Sequence, residues 1–250
     1  MMVVRAILAD LHLGRQPSDL DRFRHIMSRL RQEAVREVIF LGDLFVTLVG
    51  LERFWDATVR TGLAELAAAR SAGCRVVMIE GNREFFLDEP ALDPFRDRCG
   101  LSHSFEAGGR RFLLEHGDRV NPRDRAYRFW RSLSKGGPAR LWARLLPGHV
   151  ARRIVRSTER RLGRTNFSYR RHLPVGPMTD RAKAYFAAGV DVVLWGHFHH
   201  HWVLQDAGRE AHVVPSWQET DVVVRVTDDG VLGFDPPLHM VRGAQGSEIA

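Results

Sequence analysis

The chain has few of the features that mark secreted or membrane-spanning proteins. It contains only two cysteines, Cys74 and Cys99, which are too few for a disulfide framework and favour a reducing compartment. No uncharged apolar run approaches the roughly 18 residues needed to span a bilayer. The first ten residues lack the basic start and long apolar stretch of a secretory signal. We therefore expect a cytoplasmic protein that is at most peripherally attached to the inner face of the inner membrane.

Acidic residues are nearly missing from one stretch of the chain. Residues 119–172 contain 16 arginines and lysines but only two acids, Asp124 and Glu159. This segment therefore carries +14, whereas the whole chain carries a formal charge of +7. Such a segment is typical of proteins that bind phosphate groups, nucleic acid or an anionic lipid surface.

The chain does contain five short apolar runs, and each of them ends in residues that can bind metal. In chain order the runs end in Asp10 and His12, in Asp43, in Asn82, in His116, and in His197 and His199. Helical spacing of apolar residues marks Leu20–Leu30 and Leu51–Leu66, between the first three runs. Alternating strands and helices predict an α/β fold, in which ligands collect at the carboxyl ends of the strands.

After residue 200 the alternation of strand and helix patterns ends. Strand patterns follow one another directly there, and the residues Asp228, Asp229 and Gly230 are a good hairpin signal. We expect these late strands to form a second, mostly antiparallel sheet.

Taken singly, each of the seven polar residues has an ordinary explanation as a turn residue, a helix cap or a satisfied polar group. Their joint occurrence at five strand ends, with glycines beside them, indicates a shared site. Carboxylate, amide and imidazole ligands without thiolates suit Mn²⁺, Fe or Zn²⁺. Seven ligands exceed what one ion takes, so we predict two divalent ions, with Asp43 as the candidate bridging ligand.

The order of these motifs resembles the signature of calcineurin-like metallophosphoesterases. The signature reads D-x-H, G-D, G-N, an isolated H-G and G-H-x-H, and all five parts are present in sequence order. The resemblance implies a sandwich of two sheets flanked by helices, with two metal ions of which Mn²⁺ is the expected species. It assigns Asp10, His12, Asp43 and His199 to one metal, and Asp43, Asn82, His116 and His197 to the other.

Arg83 stands where most of that family has a histidine. Arginine does not donate a proton at neutral pH, but it can bind two phosphate oxygens at once. The loss of an acid is tolerable when the leaving group is a phosphate monoester, whose second pKa is about 6. Arg83 therefore favours cleavage of a diphosphate bond, and Glu84 is expected to orient it or to serve as a supporting carboxylate. The alternative is that Arg83 is only a surface salt-bridge partner.

The sequence G-N-R followed by an acid and phenylalanine resembles UDP-2,3-diacylglucosamine diphosphatases of lipid A biosynthesis. The stretch after His116 and the segment around Trp217 are also similar to those enzymes. The resemblance implies that hydroxide attacks the phosphorus next to uridine in UDP-2,3-diacylglucosamine, giving UMP and 2,3-diacylglucosamine 1-phosphate. The candidate catalytic residues are Asp43, Asn82, Arg83 and His116, and the candidate substrate contacts are Asn82, Arg83, Asp124, Tyr127 and His197.

The chain departs from those enzymes in three places. It has Glu84 where they have aspartate, and it reads G-H-F-H-H-H where they have G-H-T-H, a basic residue and proline. Their spaced serine, asparagine and lysine have no clear counterpart in residues 163–172, so Asn166 and Arg170 receive no role.

We divide the chain into a core of residues 1–118 and 173–240, a basic helical insertion of residues 119–172, and a loose tail of residues 241–250. Within the insertion, Leu141, Trp142, Leu145 and Leu146 share a helix face, and Pro147 is expected to end that helix. A basic amphipathic helix suits contact with an anionic membrane, or it could cap the site and hold acyl chains. The alternative is a hairpin that packs on the core with solvated arginines.

Two other functions remain open. One is a phosphodiesterase or nuclease of the same fold, but Arg83 and the apolar face of the insertion both argue against a nucleic acid partner. The other is a metal-stabilised scaffold that binds a membrane or a partner, which would not need such a complete ligand set. The oligomeric state is open.

Overall fold

The structure is a computed structural model that describes residues 3–122, 124–147, 150, 153, 154, 157 and 173–237. Its described part contains two large sheets, one two-stranded sheet and several helices. The strands are β1 (Val3–Leu8), β2 (Glu37–Phe40), β3 (Leu48–Val49), β4 (Arg75–Ile79), β5 (Glu84–Phe85), β6 (Arg98–Gly100), β7 (Ser102–Ala107), β8 (Arg110–Glu115), β9 (Val192–Trp195), β10 (Trp202–Asp206), β11 (Arg209–Val213), β12 (Val223–Thr227) and β13 (Leu232–Asp235). The helices are α1 (Asp19–Gln32), α2 (Ala57–Ser71), α3 (Arg125–Lys135), α4 (Gly137–Leu145), α5 (Val175–Ala187) and the single turn α6 (Trp217–Thr220).

Both large sheets combine parallel and antiparallel pairs, and the antiparallel pairs lie at one edge of the first sheet and at both edges of the second. The first sheet has the order β13-β12-β1-β2-β4-β6, and the neighbours from β1 to β6 are parallel. The second has the order β10-β11-β9-β8-β7, with β11, β9 and β8 parallel. All five runs with metal-binding ends therefore belong to strands with a neighbour on each side, which explains why their central residues are mainly apolar.

The layers follow from the alternation of side chains along each strand. Ala6 and Leu8 of β1 face α1 and α2, whereas Ile7 faces the second sheet. On the far side, Phe186 of α5 packs in a third apolar cluster with Trp195 of β9. The order of layers is helices, sheet, sheet, helix, and the prediction of a two-sheet αββα sandwich is confirmed.

The prediction that the late strands form their own antiparallel sheet is wrong. Strands β10 and β11 extend the second sheet, where β11 runs parallel to β9. Strands β12 and β13 instead return to the first sheet, where β12 pairs antiparallel with β1. Each sheet had an open edge that could accept a strand, and local patterns carry no information about which edge a strand joins. The predicted hairpin at Asp228–Gly230 does connect β12 to β13.

The helix predicted over Leu51–Leu66 begins six residues later, at Ala57. The carboxylate of Asp56 accepts a hydrogen bond from the backbone N–H of Val59 at 2.9 Å and caps the helix. Before this cap, Glu52–Phe54 form a short 3-10 turn. The helical spacing of apolar residues extends to the N-terminal side of the cap, but the helical backbone conformation begins only after it.

The predicted insertion is described only in part. Helices α3 and α4 occupy its first half, and α4 ends at Leu145, so the helix does stop before Pro147. Most of residues 148–172, including Asn166 and Arg170, and the predicted tail lie outside the described residues, so the proposed division of the chain stays a prediction. Among the helices that the structure describes, none is both long and apolar enough to cross a membrane.

Candidate metal centre

The loops after β1, β2, β4, β8 and β9 meet at one edge of the sandwich, because parallel strands end at the same side of a sheet. Several of the predicted ligands have left-handed backbone conformations, which are uncommon for residues other than glycine and typical of functional sites. Their φ angles are 52° for Asp10, 46° for His12, 53° for Asp43, 72° for His197 and 58° for His199.

One part of the site is formed by Asp10, His12 and His199. The Nε2 atoms of His12 and His199 lie 3.4 Å apart, and the two rings are stacked. Oδ1 of Asp10 lies 3.7 Å from Nε2 of His199 and 4.0 Å from Nε2 of His12. The other carboxylate oxygen, Oδ2, accepts a hydrogen bond from the backbone N–H of His197 at 2.7 Å. One Asp10 oxygen thus fixes the loop, and the other faces the two imidazoles.

Asp43 lies between this group and the rest of the site. Its Oδ2 is 3.9 Å from Nδ1 of His12, and its Oδ1 is 3.6 Å from Nε2 of His116. The two carboxylate oxygens therefore face different imidazoles. This arrangement is compatible with a bridging ligand, although the bridging role itself stays a prediction.

Asn82 and His197 complete the cluster. Oδ1 of Asn82 lies 3.1 Å from Nε2 of His116 and 3.1 Å from Nδ1 of His197. The rings of His116 and His197 meet edge to face with centroids 5.0 Å apart. All seven predicted metal ligands are therefore brought into one connected cluster, although they come from five separate loops.

This cluster fits divalent cations by its donors and by its charge. Oδ1 of Asp10 is buried and has no hydrogen-bond partner among the described residues, which is costly unless a cation neutralises it. Side-chain donor atoms of Asp10, His12 and His199 lie within 4.8 Å of one another, and so do those of Asp10, Asp43 and His116. Oxygen and nitrogen donors at this spacing can bind divalent metal ions.

The pKa values of the cluster reflect burial and mutual charge. Burial and the neighbouring His199 hold the pKa of His12 well below its usual range. Burial and His116 lower the pKa of His197 to about 4. Burial opposes a charged His116, but Asp43, Asp10 and Asp118 outweigh it and raise the pKa of His116 to about 9. The negative field that favours this imidazolium would also favour a metal cation.

Carboxylate and carbonyl groups behind the cluster orient two of its histidines. Nδ1 of His116 donates to the carbonyl of Leu41 at 2.8 Å, which leaves Nε2 directed toward Asp43. Nδ1 of His199 lies 3.1 Å from Oε1 of Glu219. Such partners fix the ring orientation of ligating histidines. Sequence reasoning missed Glu219, because its only signal is its place two residues after Trp217.

Glu84 is a supporting carboxylate, and the structure does not show it orienting Arg83. Its Oε2 accepts hydrogen bonds from the backbone N–H groups of Asp43 at 3.0 Å and Gly81 at 2.8 Å. Its Oε1 accepts from the N–H of Leu44 at 2.8 Å. Burial and the charge of Asp43 raise the pKa of Glu84 to about 7. Glu84 therefore holds the loop of Asp43 against the loop of Asn82.

Arg83 is only 6% exposed, so it is not a surface salt-bridge partner. Its backbone N–H donates to Oδ1 of Asp43 at 3.0 Å, and its Nε lies 3.8 Å from Oδ2 of the same residue. Nη1 makes a long hydrogen bond of 3.4 Å to the carbonyl of Val46. Nε is buried and has no hydrogen-bond partner among the described residues. The guanidinium retains donors that an anionic ligand could accept.

Asp124 and Tyr127, which were predicted to contact substrate, make structural contacts here. Oδ1 of Asp124 accepts from the backbone N–H of Tyr127 at 2.9 Å and caps α3. The hydroxyl of Tyr127 donates to Asp118, which also pairs with Arg131 at 2.7 Å. A substrate role for Asp124 and Tyr127 stays a prediction. Sequence reasoning did not identify Asp118 as a residue beside the site, although its position two residues after His116 indicated that it would lie there.

Gly42 allows His116 to approach Asp43. Its φ is 82°, and an added Cβ would overlap the imidazole ring of His116. We expect Gly42→Ala to lower the free energy of unfolding by at least about 2 kcal/mol through backbone strain and this overlap, and to reduce metal content. Urea denaturation and metal analysis would measure both effects.

Gly73→Ala is the matched control for Gly42→Ala. Gly73 has a φ of 87° but no atom within 4 Å of an added Cβ. It should therefore show the backbone strain alone, with metal content unchanged. Equal losses in the two variants would mean that the contact with His116 has no role in the site.

Comparison with known proteins gives three results. A family model described as calcineurin-like phosphoesterase matches residues 5–201. A UDP-2,3-diacylglucosamine hydrolase from Ralstonia nicotianae is 30% identical over 92% of this chain and 91% of its own length, and one from Pseudomonas putida is 25% identical over 90% and 95%. A solved dimetal phosphatase from Danio rerio is 17% identical, covers 90% of this chain and 92% of its own, and gives a TM-score of 0.49.

Proposed function

Since this chain belongs to the calcineurin-like phosphoesterase family and is a hydrolase, we propose that it cleaves the diphosphate bond of UDP-2,3-diacylglucosamine. The products would be UMP and 2,3-diacylglucosamine 1-phosphate, which would be an intermediate of lipid A biosynthesis. The observation that carries this proposal is the buried Arg83 beside Asp43, at the position where the family pattern has a histidine. The names of the two hydrolase relatives support the same substrate.

The proposal includes two divalent metal ions, with Mn²⁺ as the expected species and Fe or Zn²⁺ as alternatives. Such ions supply Lewis-acid stabilisation of phosphoryl oxygens and a nucleophile at neutral pH. Asp43 would be shared between them. The residues that would hold the first ion are Asp10, His12, Asp43 and His199, and those for the second are Asp43, Asn82, His116 and His197.

Within the site, the side chains would bind and orient the diphosphate. Arg83 lies beside Asp43, and its Nε has no hydrogen-bond partner among the described residues, so it would bind phosphoryl oxygens and stabilise charge that develops during bond cleavage. The leaving group is a phosphate monoester with a second pKa of about 6, so no side chain needs to protonate it. This is why an arginine can replace the usual histidine.

Release of UMP from UDP-2,3-diacylglucosamine tests the proposal. We expect UMP to form when Mn²⁺ is present and not after chelation of the metal. Cleavage of DNA or of an aryl phosphodiester without UMP release would favour a phosphodiesterase or nuclease instead. Metal binding without turnover of any phosphoester would leave only the scaffold role.

We also propose that α3 and α4 contact the anionic surface of a membrane, where the acylated substrate resides. The two helices expose large apolar side chains, each between 51% and 71% accessible: Phe129, Trp130, Leu133, Leu141, Trp142 and Leu145. Arg140 and Arg144 of α4 point the other way and pair with Asp88 and Glu89. An exposed face of large apolar side chains suits the boundary between headgroups and acyl chains.

Replacing Trp142 and Leu145 together by serine tests the membrane contact. Burying each side chain stabilises binding by about 1.5–3 kcal/mol, so we expect at least about tenfold weaker binding to phosphatidylglycerol vesicles. Sedimentation with vesicles would measure the affinity. Val231→Ser is the control, because Val231 is 48% exposed but lies in the turn before β13. Unchanged vesicle binding of the double variant would contradict the membrane contact.

A further inference from the structure

A groove of about 880 Å³ is lined by residues of α3 and by Glu80, which lies two residues before Asn82. Its volume is within the range of sites for small organic ligands. None of the seven candidate metal ligands lines it. The basic residues that line it are Arg119, Arg128, Arg131, Lys135, Arg140 and Arg181, and the acidic ones are Glu80 and Asp88. The lining therefore carries a formal charge of +4.

Part of the basic lining is held rigidly against the core. Arg131 donates to Glu80 at 2.6 Å and to Asp118 at 2.7 Å, and Lys135 donates to the same Glu80 oxygen at 3.0 Å. Two cations thus share Glu80. Burial and the neighbouring Arg131 lower the pKa of Lys135. This wall is preorganised, and its two cations are balanced by the carboxylates of Glu80 and Asp118.

Arg119 and Arg128 have no carboxylate partner within 4 Å among the described residues. Arg140 and Arg181, in contrast, pair with Asp88 and Glu115. The one hydrogen bond given by the Arg128 side chain within the described chain is a long contact of 3.5 Å to the carbonyl of Pro122. The two arginines can bind an incoming anion without first breaking an ion pair.

The groove also has an apolar portion, formed by Leu87, Cys99, Leu101 and Pro122. Leu101 is 47% exposed. A ligand with a phosphate group attached to a less polar part would match both kinds of lining. Arginine is well suited to phosphate because its planar donors fit two oxygens at once.

We propose that this groove is a second anion site, separate from the metal centre, which binds the phosphate group of a phosphate ester through Arg119 and Arg128. The ester is either the headgroup of an anionic lipid or a soluble phosphate compound. The proposal does not depend on the hydrolysis proposed above, because it involves none of the candidate metal ligands.

Charge reversal at Arg128 and Arg119 tests the site in the full-length, metal-loaded protein. The first probe is vesicles of phosphatidylglycerol mixed with phosphatidylcholine, and the second is inorganic phosphate followed by calorimetry. We expect Arg128→Glu and Arg119→Glu each to weaken binding about fivefold or more, since one charge-assisted contact contributes about 1 kcal/mol or more. Phosphate bound at the metal centre contributes equally in every variant, so the difference isolates the groove.

Arg125→Glu is the matched control, because Arg125 is an exposed arginine on the same helix that does not line the groove. It changes the net charge of the same helix equally, so any loss of vesicle binding that it causes measures the general membrane contact of α3. Its affinity for inorganic phosphate should change less than about twofold. Loss confined to vesicle binding would identify a lipid headgroup, and loss confined to inorganic phosphate would identify a soluble ester. Equal behaviour of Arg128→Glu, Arg119→Glu and Arg125→Glu with both probes would overturn the proposal.

Discussion

Replacing Asp43 by alanine is expected to lower UMP release at least about 10³-fold and to reduce the bound metal from two ions to one or none. Asp43 is buried, and its two carboxylate oxygens face His12 and His116 separately. Metal ions contribute several kcal/mol of charge stabilisation to phosphoryl transfer, and each 1.4 kcal/mol corresponds to about tenfold in rate. Elemental analysis and the UMP assay measure the two effects.

Asp21→Ala is the control for Asp43→Ala. Asp21 lies on α1 with its side chain 80% exposed, so the same substitution should leave metal content and rate unchanged. Circular dichroism would show that both variants are folded. An Asp43→Ala protein that kept both metal ions and at least a tenth of its activity would contradict the bridging role.

Replacing Arg83 by alanine is expected to lower kcat by about 10²–10³-fold while metal content stays the same. That range is typical for the loss of one preorganised donor that stabilises developing charge. The backbone N–H of Arg83 donates to Asp43, and alanine retains this group, so Asp43 keeps its orientation. The guanidinium is lost without loss of the metal ligands.

Arg83→Lys separates charge from geometry at the same position. Lysine retains the positive charge but not the paired donors, so we expect a rate between those of Arg83→Ala and the unaltered protein. Metal content and kcat would be measured side by side for the three proteins. Collapse of metal content in Arg83→Ala would show that the arginine supports the metal centre and does not act on the phosphate.

The metal-binding strand ends could be predicted from the sequence because the apolar runs mark the strands and the parallel arrangement brings their ends together. β2 and β9 are buried on both faces, and β1 and β4 nearly so, so their apolar runs end sharply at polar residues, whereas β8 fully buries only Phe112 and Leu114. Parallel strands then place those ends at one edge. Nothing more than the order of Asp10, Asp43, Asn82, His116 and His197 was needed to expect a common site.

Features that depend on distant contacts could not be predicted in the same way. The pairing of β12 with β1 joins residues more than 200 positions apart, and no local pattern distinguishes it from pairing within the second sheet. The contact of Glu219 with His199 likewise appears only when the loops meet. Asp124 had a cap-like sequence context, but a carboxylate at that spacing is equally compatible with a substrate contact.

The most direct test of this account is anomalous diffraction from crystals grown with Mn²⁺. We predict two manganese peaks about 3.5–4 Å apart, with Asp43 between them, Asp10, His12 and His199 around one, and Asn82, His116 and His197 around the other. No peak within this cluster, or a single ion bound elsewhere on the protein, would contradict it.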